Sequence, residues 1–351
     1  MSAKAQTGNF LEDFRIGQTI VHATPRTLSV GDAALYTALY GSRFAVQSAD
    51  GFARALGLPQ SPLDDLLVFH TVFGKSVPDI SLNAVANLGY AEGRFLKPVY
   101  PGTTLSAQSE IVGLKENSNK QTGVVYVRTT GMDETGDTVL SYVRWAMVKK
   151  RQAASVIAGQ HVPKLAEFVP AAELRAPRCD LAGFDTALSG SPQLWDDYAA
   201  GEKIDHADGM TVEEAEHMMA TRLYQNTARV HFNQFAQAAD RFGKRLIYGG
   251  HVISVARALS FNGLANAVFI LAVNGGRHVN PFFAGDTLFA WSQVLDKAEL
   301  RGRKDCGALR LRLIAAKNRP CTDFPEGDAG GKYPDCVVLD FDYWALMPRR
   351  A

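Results

Sequence analysis

Cysteine is scarce and falls in no pattern. The four cysteines, Cys179, Cys306, Cys321 and Cys336, all lie beyond the midpoint of the 351 residues and none forms a C-x-x-C pair. That spacing argues against a zinc site and a disulfide framework, and predicts free thiols in a reducing cytoplasm. Net charge is equally slight: 37 basic side chains stand against 36 acidic ones. The chain therefore has no electrostatic footprint for nucleic acid or for an anionic membrane, and an anionic ligand must be held by local charges. The longest greasy stretch, Gly263 to Val273, is too short to span a bilayer. The opening MSAKAQTGNF has no apolar core, so no signal peptide is expected. G-x-G-x-x-G and G-x-S-x-G are both missing, and the GGK at Gly330 to Lys332 lacks the other P-loop positions, so nucleotide binding and serine hydrolysis have no support. What is present, 46% hydrophobic and 21% charged residues, predicts a globular protein with two cores of domain size.

The chain opens with helical patterns. Ser29 can cap a helix reaching Gly41, with Val30, Ala33, Ala34 and Tyr36 on its apolar side. A shorter helix runs from about Ser48 to Leu56 and is stopped by Gly57 and Pro59. Leu66 to Phe73, LLVFHTVF, is apolar nearly all round and predicts either a fully buried helix or a core strand. From Gly93 the texture is that of strands: GRFLKPVYPGTTL contains a Pro-Gly turn, and GVVYVRTT and TVLSYVRWAMV flank a polar turn at Asp133 to Gly136. Helices followed by antiparallel strands predict an α+β unit in which a sheet wraps one buried helix.

The pattern then begins again. Phe14, Gly17 and Tyr40 recur as Tyr198, Gly201 and Tyr224, each 184 positions later. Gly93, Arg94, Pro98, Gly102, Thr104 and Leu105 recur as Gly276, Arg277, Pro281, Gly285, Thr287 and Leu288, each 183 later. Trp145 recurs as Trp344, 199 later, the excess fitting a Gly/Pro-rich insertion around Pro320 to Pro334. A nearly constant offset through separate motifs predicts two tandem copies of one fold. The first occupies 1–150, an alanine-rich surface linker with Pro163, Pro170 and Pro177 occupies 151–190, and the second copy occupies 191–351.

One stretch concentrates polar chemistry in a greasy neighbourhood. Tyr224 to His231, YQNTARVH, brings an imidazole, a primary amide and a guanidinium within about two helical turns, ahead of an apolar helix that opens on Gly249-Gly250. His231 is the obvious titratable group, with an ordinary packed histidine as the bland reading. Asn226 can orient a water through its amide or simply cap a turn. Gly249 and Gly250 can present free N–H groups at the positive end of a helix. His251, next in line, can face a pocket or make an ordinary polar contact. The run Asp205 to His217 looks superficially metal-like, but Thr211 with Glu214 reads as a capping box, so no metal is expected.

Two α+β copies, each with a G-R-x-x-x-P type strand turn, resemble the MaoC-like branch of the hotdog-fold proteins over nearly the whole chain. At finer grain, LEDFRIGQTIVHATPRT, QNTARVHFNQF, RLIYGGHVISVARALSFNGLANA and VVLDFDYWALMPRR are similar to the mesaconyl-CoA hydratase (β-methylmalyl-CoA dehydratase) family. The resemblance implies a double hotdog that reversibly adds water to a methyl-branched dicarboxylic enoyl-CoA, a hydro-lyase of bacterial acetyl-CoA or propionyl-CoA assimilation. It implies no cofactor beyond the CoA of the substrate. The hydratase signature is an Asp, then x-N-P, an aliphatic residue and a His; here Asn226 stands in the place of that Asp and His231 is kept, while Ser42 to Gln47 of the first copy retains neither.

On that resemblance His231 is the catalytic base, Asn226 orients the water, and Gly249 or Gly250 forms the oxyanion hole. The departure at Asn226 leaves the proton source open between His231 itself and a carboxylate such as Glu216 or Asp32, both of which also suit helix starts. A second carboxylate on the acyl group would need a cation, for which Arg229 comes first, with Arg222 and Arg43 behind it; each also fits an exposed structural arginine. Two other readings stay open: a thioesterase on the same fold, and a non-catalytic acyl-CoA binding module. No nucleic-acid or membrane partner is expected, and exposed strand edges predict a homo-oligomer.

Overall fold

The computed structural model describes Lys4 and residues 7–350. Ten strands make one antiparallel sheet: β1 (Thr19–Thr27), β2 (Ala84–Phe95), β3 (Thr104–Glu116), β4 (Thr122–Met132), β5 (Thr138–Lys149), β6 (Lys203–Thr211), β7 (Phe269–His278), β8 (Thr287–Glu299), β9 (Cys306–Lys317) and β10 (Val337–Pro348). The order β1-β3-β4-β5-β2-β7-β10-β9-β8-β6 is mirrored about its centre, where β2 pairs with β7. Each half carries one core helix, Asp65–Ser76 in the first and Gly249–Leu259 in the second. Their starts are 184 positions apart, so the repeat read in the sequence is a repeat of structure.

Finer details follow the same offset. In the first copy His22 donates from Nδ1 to Asp79 and accepts at Nε2 from Ser109, both at 2.7 Å. Its counterpart His206 donates from Nδ1 to the Asn262 carbonyl at 2.7 Å and accepts from Ser292 at 2.8 Å. The carboxylate and the carbonyl can only accept, which fixes the tautomer in each case.

The segment Leu66–Phe73 resolves as a helix. Asp64 caps it by accepting the Leu66 N–H at 2.9 Å, and every residue from Leu66 to Ser76 is buried. A helix satisfies its own backbone groups, so it tolerates burial on all sides. The two core helices and the helix Val30–Tyr40 with its counterpart Glu214–Leu223 meet between the copies. In consequence one continuous cluster contains Tyr40, Leu67 and Phe69 together with Tyr224, Val252 and Tyr343. The length predicts two cores; the copies instead share their largest one, because each helix still has an apolar face left after covering its own half-sheet.

Several sequence expectations shift. The first helix is capped by Ser29 as expected, but Val30 is exposed and the buried side is Tyr36, Leu39 and Tyr40. Strand texture begins at Ala84, nine residues before Gly93, because β2 must be long enough to pair with both β5 and β7. The Thr211–Glu214 capping box does not form. Thr211 is the last residue of β6, its hydroxyl pairs with Thr287 at 2.7 Å, and the helix start is closed by the Glu213 N–H donating to Glu216 at 3.1 Å. Within 151–190 the chain is pinned at Val169, whose carbonyl accepts from Trp344 at 3.0 Å and whose N–H donates to Asn274 at 2.8 Å. Among the described residues no helix is long and apolar enough to cross a membrane.

Candidate active site

The stretch from Tyr224 to His231 leaves the helix Glu214–Leu223 and ends in the single turn Arg229–Phe232. Its path depends on the first copy. Gly74, near the end of the first core helix, lies so close that a Cβ there would overlap the carbonyl oxygen of Tyr224. Only a residue without a side chain permits that approach.

Asn226 is buried and closes the turn, its Oδ1 accepting the Ala228 N–H at 3.0 Å and its own N–H donating to the Thr221 carbonyl at 2.9 Å. Because Ala228 presents a donor, the side-chain atom facing it must be the carbonyl oxygen, which fixes the amide's orientation. The NH2 nitrogen is left buried without a partner. From the sequence Asn226 can orient a water or cap a turn; here its acceptor caps the turn and its donor is what remains for a water.

His231 is half-buried, and its Nδ1 lies 2.9 Å from the carbonyl oxygen of Leu246. The proton must sit on Nδ1 to make that bond, so Nε2 carries the free lone pair. Burial pushes its pKa down to about 4, which keeps the ring neutral at ordinary pH. The ring stands 5.4 Å from that of Tyr248 and 6.0 Å from that of His217. His217 in turn accepts the Tyr248 N–H at 2.9 Å, tying this cluster to the residue just before the second core helix.

That helix opens on Gly249 and Gly250, whose N–H groups fall in the first turn and lack the i−4 carbonyl that later residues use. The His278 ring lies against Gly249 so closely that a Cβ there would meet it. Its Nε2 is buried without a partner, and burial followed by the nearby His231 pushes its pKa down to about 4. The equivalent position in the first copy's helix is Asp65, half-buried, with its carboxylate accepting the Ile270 N–H at 2.7 Å. Asp64 beside it caps Leu66. Carboxylates thus close the first helix start, while at the second the His278 ring stands against Gly249 and the His70 and Tyr248 rings against Gly250.

A cavity of about 710 Å³ lies beside this stretch, lined among others by Asn226, Phe232 and Arg222 from the second copy and by Gly74, Lys75 and Thr24 from the first. Arg229 is exposed at the head of its one-turn helix and is not among the lining residues, and neither are His231, Gly249 and Gly250, so of the predicted site residues the cavity brings together Asn226 and Arg222. Arg43 lies elsewhere, its guanidinium 4.4 Å over the Phe261 ring. His251 is buried with Nδ1 3.1 Å from the Tyr40 hydroxyl, and so faces the junction of the copies, not this cavity. Of the three arginines, only Arg222 shares the cavity with Asn226. Lys75 and His278 were missed in the sequence, although the repeat marks both: their counterparts are Leu259 and Phe95. Among the described residues no cluster of His, Cys, Asp and Glu has the arrangement to hold a metal ion.

Comparison with known proteins bears on the family and the fold. Residues 2–323 match the family model for mesaconyl-CoA hydratase. A β-methylmalyl-CoA dehydratase from Chloroflexus aurantiacus is 60% identical over 351 residues, covering all of both chains. A mesaconyl-CoA hydratase from Cereibacter sphaeroides is 60% identical over 348 residues, 99% of this chain and all of the relative. Among solved structures, a MaoC domain dehydratase from C. aurantiacus superposes with a TM-score of 0.98 at 59% identity over the full length of both chains. A Mycobacterium tuberculosis protein described as a double hotdog superposes with a TM-score of 0.74 at 26% identity, over 97% of this chain and 98% of that one. The fold is a double hotdog, and the chain belongs to the mesaconyl-CoA hydratase family.

Proposed function

We propose that this chain reversibly adds water across the double bond of mesaconyl-CoA to give β-methylmalyl-CoA, using one site built on its second copy. The observation that carries the mechanism is the bond from His231 Nδ1 to Leu246, which presents Nε2 as a neutral base. Nε2 takes a proton from water as the water oxygen bonds to Cβ. The π pair moves toward the thioester, and the enolate oxygen is met by the N–H groups at the head of the Gly249–Leu259 helix, where the dipole favours negative charge. The imidazolium then returns its proton to Cα. Asn226, an amide, moves no proton; its NH2 donates to the water or to the substrate and fixes direction.

The reaction needs no cofactor, since the CoA travels on the substrate. Arg222, on the cavity wall beside Asn226, is the arginine best placed for the second carboxylate of a dicarboxylic acyl group. The outer edges of β1 and β6 favour assembly of copies, and four free thiols suit a reducing cytoplasm.

The test is loss of the enoyl-thioester absorbance when purified protein meets mesaconyl-CoA, with a thiol reagent present. Loss without thiol release is the expected result. Release of CoA thiol would replace this reading with a thioesterase, in which the same base aims water at the carbonyl.

A further inference from the structure

Lys75 sits in the last turn of the first core helix and is 4% exposed. A buried ammonium is costly to desolvate, and natural proteins usually set a carboxylate against it. Lys75 has none: its Nζ donates to the Thr24 carbonyl and, at 3.3 Å, to Gln225 Oε1, both neutral. The nearby charge is another cation, Arg26, itself paired with Asp32. Three N–H donors and two neutral acceptors leave one donor and a whole charge uncompensated.

The repeat shows that the fold does not require this lysine. Its counterpart is Leu259, at the end of the second core helix. The β1 bulge that offers the Thr24 carbonyl, at φ 63, recurs at Ala207 with φ 62, so the bulge forms without a cation to hold. The asymmetry matches function. The end of the first helix faces the second copy's polar stretch through Gly74 and Gln225, whereas near the end of the second helix Arg257 lies over Phe44 in the first copy's stretch, which lacks the catalytic pair. At the position equivalent in the repeat, a cation stands only where it borders the cavity shared with Asn226 and Arg222; the buried Arg257 of the other helix end is turned to Ser260 and the Ala267 carbonyl instead.

We propose that Lys75, contributed by the first copy, binds the distal carboxylate of the acyl group together with Arg222 of the second copy, the two cations sharing it, and so makes the site selective for dicarboxylic over monocarboxylic enoyl-CoA substrates. This rests on the hydratase reading above. The carboxylate replaces the missing counter-charge and takes the spare donor, as a charge-assisted hydrogen bond in a shielded setting. No bond is made or broken at the lysine. A CoA phosphate is a poorer occupant, because it is strongly hydrated and belongs at an open rim.

The experiment compares kcat/KM for mesaconyl-CoA and crotonyl-CoA in wild type, Lys75→Met and Lys75→Arg. Lys75→Met should lose on the order of 100-fold with mesaconyl-CoA and little with crotonyl-CoA, and Lys75→Arg should recover much of the loss. In wild type the preference for mesaconyl-CoA should also fall as pH rises through about 8, to which burial and then Arg26 push the lysine down; the other charged groups near it are Arg26, paired with Asp32, and Arg222 on the cavity wall. Equal losses on both substrates, whether from a damaged loop or a lost phosphate contact, would overturn the proposal, as would an unchanged preference. A wild type that hydrates neither substrate would instead remove the hydratase reading. If Lys75→Met does not fold, Lys75→Arg and the wild-type pH profile still decide.

Discussion

The hydroxyl of Tyr224 donates to that of Tyr40 at 2.8 Å, so two residues holding the same place in the two copies meet at the centre of the molecule. Tyr40 lies 3.1 Å from Nδ1 of His251, which extends the contact into a short buried chain. Removing the middle hydroxyl in Tyr40→Phe leaves two buried groups unpaired, which costs about 1–3 kcal/mol apiece at most, whereas Tyr224→Phe removes only the end of the chain. Denaturant unfolding should therefore rank Tyr40→Phe as the more damaging, and the double variant should cost less than the sum of the two. Equal and additive effects would show that the chain is not coupled.

Gly74 and Gly249 both lie where a Cβ does not fit, but they differ in what would have to move. At Gly74 the obstacle is the backbone carbonyl of Tyr224; at Gly249 it is the His278 ring, which can rotate. Gly74→Ala should displace the stretch that carries Asn226, lower stability by about 1–3 kcal/mol and reduce hydration at least about tenfold. Gly249→Ala should fold nearly as well as wild type. Thermal melts and initial rates on both variants check this, and a harmless Gly74→Ala would mean that the close approach does not set the path of the site.

Six of the eight histidines are pushed down by burial: His70 and His251 to about 3, His206, His231 and His278 to about 4, and His217 to about 2. Once unfolded, each regains a pKa near 6.5. Between pH 6.5 and about 4 the unfolded chain therefore binds protons that the folded chain refuses, and stability must fall as pH falls through this window. Asp64 and Asp65, raised chiefly by burial and, for Asp65, also by Asp64, act in the opposite sense, two groups against six. The melting temperature should drop steeply from neutral pH to about pH 5. A flat profile there would contradict the buried, neutral state of this cluster.

Arg222 borders the same cavity as Asn226, whereas Arg229 and Arg43 do not. Arg222→Met should weaken turnover of mesaconyl-CoA more than that of crotonyl-CoA, while Arg43→Met, whose side chain lies over Phe261, should leave both near wild type. Comparing the substrate ratio across the two variants checks the placement. A loss confined to Arg43→Met would move the acyl group to the other copy.

The repeat was legible because turn glycines, prolines and a strand tryptophan keep their spacing whatever else diverges; Gly93/Gly276 and Trp145/Trp344 carried it. His231 and Asn226 were singled out through a family motif, and both lie in the stretch that follows the Glu214–Leu223 helix. Lys75 was not, because it follows an apolar run and reads as the solvated end of a helix; only alignment with Leu259 reveals a cation inside a core. His278 is hidden in the same way behind Phe95. The arginines were ranked by sequence distance from His231, which cannot tell a side chain on a cavity wall from one lying over Phe261. The capping box at Thr211 failed because a strand edge claimed that residue first.

The central claim is that His231 Nε2 is the base, and its most direct test is the rate of mesaconyl-CoA hydration, read as loss of enoyl-thioester absorbance, in His231→Ala beside wild type. Circular dichroism and a thermal melt establish that the variant is folded. The account predicts a folded protein with hydration lowered by at least about 100-fold. Turnover near the wild-type rate in a folded His231→Ala would contradict it and place the base elsewhere in the chain.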